Sequence, residues 1–238
     1  MILDIKQLII YEDKDILVCA KPAGVPVQTK KIGQMDLESF FKNEIAKKEP
    51  GKMPYLGVIH RLDQPVEGIT LFAKNPQAAG KLGQQLQNNQ MEKEYLAVTA
   101  GEIPAPKGTL VDWLLKDGRT NMSKVVSEKT QNAKKAELSY ECLEGTENKK
   151  LLRVTLKTGR HHQIRVQMAH AGMPLLGDRK YGGNLPEETG KGEPVALAAY
   201  RLSFKHPRTG KKMSFTCRPS GKAFASFPSI NTCSFRER

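Results

Sequence analysis

The chain has 238 residues, 39% of them hydrophobic, so it can bury a sizeable core as one large domain or two small ones. No apolar run approaches the ~18 residues of a membrane helix, which argues against a membrane protein. The net charge of +13, from 38 basic and 25 acidic side chains, favours a polyanionic partner. A membrane surface would need a basic amphipathic helix, and none is visible, so nucleic acid is the expected partner.

The N-terminus, MILDIKQLIIYEDKD, reads as strand-like. Asp4 and Lys6 interrupt its apolar residues, so it does not read as a signal peptide. Leu8-Ile9-Ile10 and Ile16-Leu17-Val18 flank a polar turn and predict a hairpin, which Lys21-Pro22-Ala23-Gly24-Val25-Pro26 breaks into a loop. Asp36 to Lys47 predicts a helix with Asp36 as N-cap and Leu37, Phe40, Phe41 and Ile45 along one face. Val58-Ile59 and Ile69 to Ala73 predict two strands around a turn at Pro65 and Gly68. Asn75-Pro76 starts the next helix, which frays at Gln87 to Gln90.

Glu92 to Ala100 alternates as a strand, with Tyr95, Ala97 and Thr99 on one face. Residues 116–135 are polar and basic and predict a flexible surface loop. Ala136 to Leu143 and Leu151 to Leu156 predict paired strands. Thr158-Gly159-Arg160 turns the chain into a helix, His161 to Ala171, that Gly172 closes. Residues 177–194 are Gly-rich and predict a long loop. Val195 to Phe204 and Lys212 to Cys217 are further helix or strand elements around a turn at His206 to Gly210. The fold class that follows is α+β: a mixed, largely antiparallel sheet flanked by helices and loops.

Four cysteines (Cys19, Cys142, Cys217, Cys233) stand far apart without a CxxC pair. The five histidines do not join them at zinc-like spacings. Reduced thiols in a cytoplasmic protein, and no metal centre, are expected.

Candidate chemistry begins at His60-Arg61-Leu62-Asp63, where a carboxylate and a guanidinium sit at a turn between two apolar strands. Asp63 either caps that turn or acts chemically. In Thr158 to Arg165, Arg160, His162, Gln163 and Arg165 crowd a helix start. Cations there oppose the dipole, which suggests an anionic partner from elsewhere. Ile164 and Met168 would hold Arg165 toward the interior. Lys93-Glu94-Tyr95 and the basic glycine loop Gly177 to Gly183 complete the set.

Together these stretches resemble the RluA-type pseudouridine synthases. His60 to Asp63 matches HRLD, Lys93 to Tyr95 matches KxY, Thr158 to Arg165 matches TGRxHQIR, and Gly177 to Gly182 matches GDxxYG. Glu12-Asp13 through Lys21-Pro22-Ala23-Gly24 resembles the family's opening stretch. The resemblance spans roughly residues 8–218. It departs at Val66-Glu67, where many members carry Thr-Ser. Glu67 would add negative charge near Asp63. Many members also carry an N-terminal S4-type RNA-binding domain, and none is expected here because the family-like stretch starts so near Met1.

The resemblance implies a single catalytic domain over 1–238 with a central cleft. It implies isomerisation of uridine to pseudouridine in ribosomal or transfer RNA, without metal or other cofactor. It makes Asp63 the nucleophile, Arg165 its ion-pair partner, and Tyr95 the ring that stacks on the detached uracil. Arg61 resembles the residue suspected of entering the space of the flipped base. A surface phosphate contact is the plainer reading of Arg61, and a structural role that of His60. Arg160, His162 and Gln163 join Arg61 as candidate RNA contacts. The basic residues of 116–135 and 201–218 would grip phosphates. No membrane and no obligate protein partner is implied, and a monomer is expected. Two other readings compete: a glycosidase-like hydrolase using Asp63 and Glu67, and a non-catalytic RNA-binding module.

Overall fold

Apolar alternation sets the strands of this chain, and capping side chains set its main helices. The computed structural model describes residues 5–48, 50–182 and 193–232, so Asp4, Gly183 and Cys233 lie outside the described residues. Backbone contacts divide the chain into two compact units. Unit 1 comprises residues 1–92 and 199–217, and unit 2 comprises 93–198 and 218–238.

Unit 1 opens on a single helical turn, α1 (Ile5–Leu8), where the sequence reads as strand. The hairpin follows as β1 (Ile9–Glu12) and β2 (Ile16–Lys21), paired antiparallel. Asp13 ties the turn, its Oδ1 accepting the N–H groups of Asp15 and Ile16. Helix α2 (Leu37–Lys48) is capped by Asp36, whose Oδ1 accepts from the Ser39 N–H at 2.7 Å. β3 (Gly57–Val58) and β2 both pair antiparallel with β4 (Glu67–Ala73), whose residues are all buried.

Helix α3 (Pro76–Gln87) starts at Asn75, whose side chain accepts from the Ala78 N–H. Ala78 and Leu82 then join Ile16, Val18, Ile69 and Leu71 in the core. Two later strands complete this sheet, β10 (Leu197–Lys205), in this unit from Ala199 onward, and β11 (Lys212–Thr216), paired antiparallel where the sequence left helix or strand open. Gly68 passes the Ala199 backbone so closely that a Cβ would stand 2.3 Å from its carbonyl oxygen. Its φ of +118° also suits only glycine.

Unit 2 is built on β5 (Glu92–Ala100, in this unit from Lys93), β6 (Lys107–Asp117), β7 (Met122–Val126), β8 (Lys134–Gly145) and β9 (Lys149–Leu156). Their spatial order is β5-β9-β8-β6-β7, antiparallel throughout. The expected loop at 116–135 is therefore corrected: residues 116–126 belong largely to the β6–β7 hairpin, with a tip at 118–121. A strand with one wet face needs few large apolar residues, and Leu114 and Val125 supply them here beneath Val166.

The expected helix at 161–171 is shorter, α4 (Gln163–His170), because His162 takes a left-handed conformation with φ of +54°. Gly172, at φ +77°, follows its end. A last turn, α5 (Ser229–Thr232), ends the described chain. No helix among the described residues is long and apolar enough to cross a membrane.

Candidate active site

In unit 1, Asp63 opens a tight turn closed by the Val66 N–H donating to the Asp63 carbonyl at 3.0 Å. Two contacts fasten this turn to the loop after β2. The Gly24 N–H donates to the Gln64 carbonyl, and the Gln64 side chain donates back to the Gly24 carbonyl. Beneath them lies Lys21, which is 1% exposed. Its ammonium donates to the carbonyls of Pro22 (2.9 Å), Val25 (2.7 Å) and Gln64 (3.0 Å), which uses all three of its protons. Burial pushes the Lys21 amine down to about 7, while the nearby charges of Asp63 and Glu67 push it up. Lys21 thus fixes the Asp63 turn and offers a positive charge to both carboxylates. Asp63 is half-buried, Glu67 is buried on β4, and Arg61 is exposed.

In unit 2, the residues of the Thr158–Arg165 stretch converge, and the structure turns most of them inward. Gln163 is a brace. Its Oε1 accepts from the Thr158 hydroxyl and the Arg160 N–H, and its Nε2 donates to the Glu137 carbonyl. Arg160 points outward, with its Nε donating to the Lys135 carbonyl. His162 is buried, stacked on His161 at 3.8 Å between ring centroids, and shares a 2.8 Å hydrogen bond with the Tyr181 hydroxyl.

Arg165 is 4% exposed and holds Asp178 with two bonds, Nε to Oδ2 at 2.8 Å and Nη2 to Oδ1 at 2.7 Å. Asp178 also accepts the N–H groups of Lys180 and Tyr181. The Arg165 guanidinium lies 5.3 Å from the centre of the Tyr181 ring. The Tyr181 hydroxyl accepts from the Ser123 N–H on β7, which ties the network to the hairpin. One anionic partner of the kind the crowded helix start calls for is present here as Asp178. Reading Gly177 to Gly183 only as a basic glycine loop hid that role. An acid fixed among glycines and a tyrosine was the available signal.

Tyr95 is buried on β5. Cross-strand register puts it in one row with Val154 and Tyr140. Alternation along β8 carries the same face to Ala136, which packs under Val166 of α4. Tyr95 and α4 therefore share one face of this sheet. Asp13, Asp15 and His206 are the one group among the described residues with ligating atoms close enough for a metal ion. Arg208 already grips both oxygens of Asp15, so a cation there would have to displace a guanidinium.

The family model described as RNA pseudouridylate synthase matches residues 15–170. The chain belongs to this family. It is 35% identical to an uncharacterised RNA pseudouridine synthase, YlyB, of Bacillus subtilis, over 87% of this chain and 67% of that one. It is 33% identical to ribosomal large subunit pseudouridine synthase D of Vibrio cholerae, over 89% of this chain and 67% of the relative. The solved structure of human RNA pseudouridylate synthase domain containing 4 has the same fold, with a TM-score of 0.75 at 22% identity over 90% of this chain and 89% of that one. The chain is accordingly an RNA-directed isomerase with an α+β fold. The resemblance carried by its motifs holds, and the hydrolase and non-catalytic readings fall away.

Proposed function

We propose that Asp63 is the nucleophile of this isomerase. The observation that carries the reading is the anchorage of its turn: Lys21, Gly24 and Gln64 fix the backbone from Asp63 to Val66, and the Lys21 charge stands near the carboxylate. The carboxylate takes up the ribose C1′ as the N1–C1′ bond breaks, and uracil leaves with the bonding pair. The base turns and C5 forms the new bond to C1′, which releases the carboxylate. C5 then loses its proton and N1 gains one, so no atom is gained or lost.

Tyr95 stacks on the detached base, and its hydroxyl serves the proton transfer. Arg165 acts in its charged form, which Asp178 and the Tyr181 ring support. Arg61 and Arg160, both exposed, contact RNA, with Arg61 filling the space of the flipped base. His162 and Gln163 hold the turn that presents Arg165. Metal or other cofactor has no step in this scheme. Residues 1–238 work as a single catalytic domain.

The name of the Vibrio relative favours large-subunit ribosomal RNA over transfer RNA as the substrate. The protein works as a cytoplasmic monomer. The test is release of tritium from C5-labelled uridine in RNA by wild type and Asp63→Ala. Loss of release with retained RNA binding is expected, and a variant as fast as wild type removes Asp63 from this role. Pseudouridine maps of cellular RNA with and without the protein identify the target.

A further inference from the structure

Among the described residues, burial lowers the amine of two lysines, Lys21 and Lys93. They are solved differently. Lys21 spends every proton on a backbone carbonyl. Lys93 is half-buried at the start of β5, and among the described residues its ammonium meets no carboxylate, carbonyl or hydroxyl at hydrogen-bonding distance. A desolvated ammonium that makes none of its three hydrogen bonds is costly unless a ligand completes it.

The position is specific. Strand alternation puts Lys93 on the same face as Tyr95, about 6.7 Å along β5 by the usual rise and thus within reach of a single nucleotide. That face also carries α4 with Arg165. The Lys93 Nζ lies against Gly159 in the turn before α4, where a Cβ would come within 3.3 Å of it. Glycine at this turn leaves the ammonium its place. Arg160, the next residue, is exposed and carries a further positive charge.

We infer that Lys93 is an anion seat that binds a phosphodiester of the RNA backbone beside the nucleotide whose base stacks on Tyr95. This rests on the reading of Tyr95 as the stacking ring. A compact ammonium suits a phosphate oxygen as a point charge, and the bond would fix one end of the everted nucleotide while Tyr95 fixes the other. Lys93 is thus a binding residue with no share in the proton transfers.

The experiment measures the affinity of wild type, Lys93→Met and Lys93→Arg for an unmodified transcript of bacterial large-subunit ribosomal RNA, between 50 and 200 mM salt. Methionine keeps the packing of the stem and removes the charge. The slope of log affinity against log salt should fall in magnitude by about 0.7–0.9 in Lys93→Met and stay near wild type in Lys93→Arg, as for one lost phosphate contact. A merely structural lysine would leave that slope alone, and an unchanged slope in a folded Lys93→Met overturns the inference. Should Lys93→Met fail to fold, acylation of the wild-type lysines with and without saturating RNA decides. RNA should protect Lys93, and equal labelling overturns the assignment. Wild-type conversion of uridine in the same transcript separates the two levels. Conversion together with a failed Lys93 test removes only the anion seat, whereas no conversion removes the reading beneath it.

Discussion

Asp178, Arg165, Lys21 and Gly68 define what single residues contribute. Asp178 and Arg165 form a buried pair, and breaking such a pair from one side costs on the order of 3–5 kcal/mol. Asp178→Ala should therefore lower stability by that amount in urea unfolding. Asp178→Leu combined with Arg165→Met should recover much of it while leaving tritium release abolished, which separates the fold's need for the pair from the reaction's need for the guanidinium. Lys21→Met removes the lysine donor from the Pro22 and Val25 carbonyls, each a loss of about 1–3 kcal/mol if water cannot replace it, while the Gln64 carbonyl keeps its bond from the Gly24 N–H. Loosening the Asp63 turn should also cut the turnover rate more than RNA affinity. Gly68→Ala meets the Ala199 carbonyl and a forbidden φ together. We expect a loss of at least about 2 kcal/mol, read as a lower melting temperature or loss of soluble protein.

Elements form where local signals agree. Asp36 and Asn75 cap their helices as their residue types require, and Asn75 also donates to Asp15 at 2.9 Å. Asn75→Ala should destabilise by about 1–2 kcal/mol in chemical unfolding, the cap and the second bond acting together. The β6–β7 hairpin is the opposite case. Its sequence reads as loop because Lys116, Arg119 and Lys124 face solvent. Its strand character comes from partners distant in sequence, with Trp113 opposite Val126 and Leu115 opposite Lys124. Hydrogen exchange should find the amides that bond across β6 and β7 protected and those of residues 118–121 and 127–129 fast. Uniformly fast exchange from 116 to 135 would restore the loop.

Acid behaviour belongs to the whole molecule. The Arg208 guanidinium holds the Asp15 carboxyl down to about 2 from 3.8. Lys107 and Arg153 hold Glu141 down to about 2 from 4.5. Both groups titrate lower in the folded chain than in the unfolded one, so the unfolded chain takes up protons first. Their stabilisation is complete above about pH 5 and is lost as pH falls through 4 toward 2. The melting temperature of Asp15→Asn with Glu141→Gln should therefore depend less steeply on pH across that window than that of wild type.

By itself the sequence determined the order of most strands and helices, the two helix caps and the motif set that names the family, because each depends on neighbours a few residues away. Tertiary structure alone decided that Asp178 holds Arg165, that Gln163 and His162 brace a turn from within, that a basic stretch is a hairpin, and that Lys21 has spent its protons while Lys93 has not. Those facts depend on which distant groups meet in space and on how far water is excluded from them, and neither is written in local spacing.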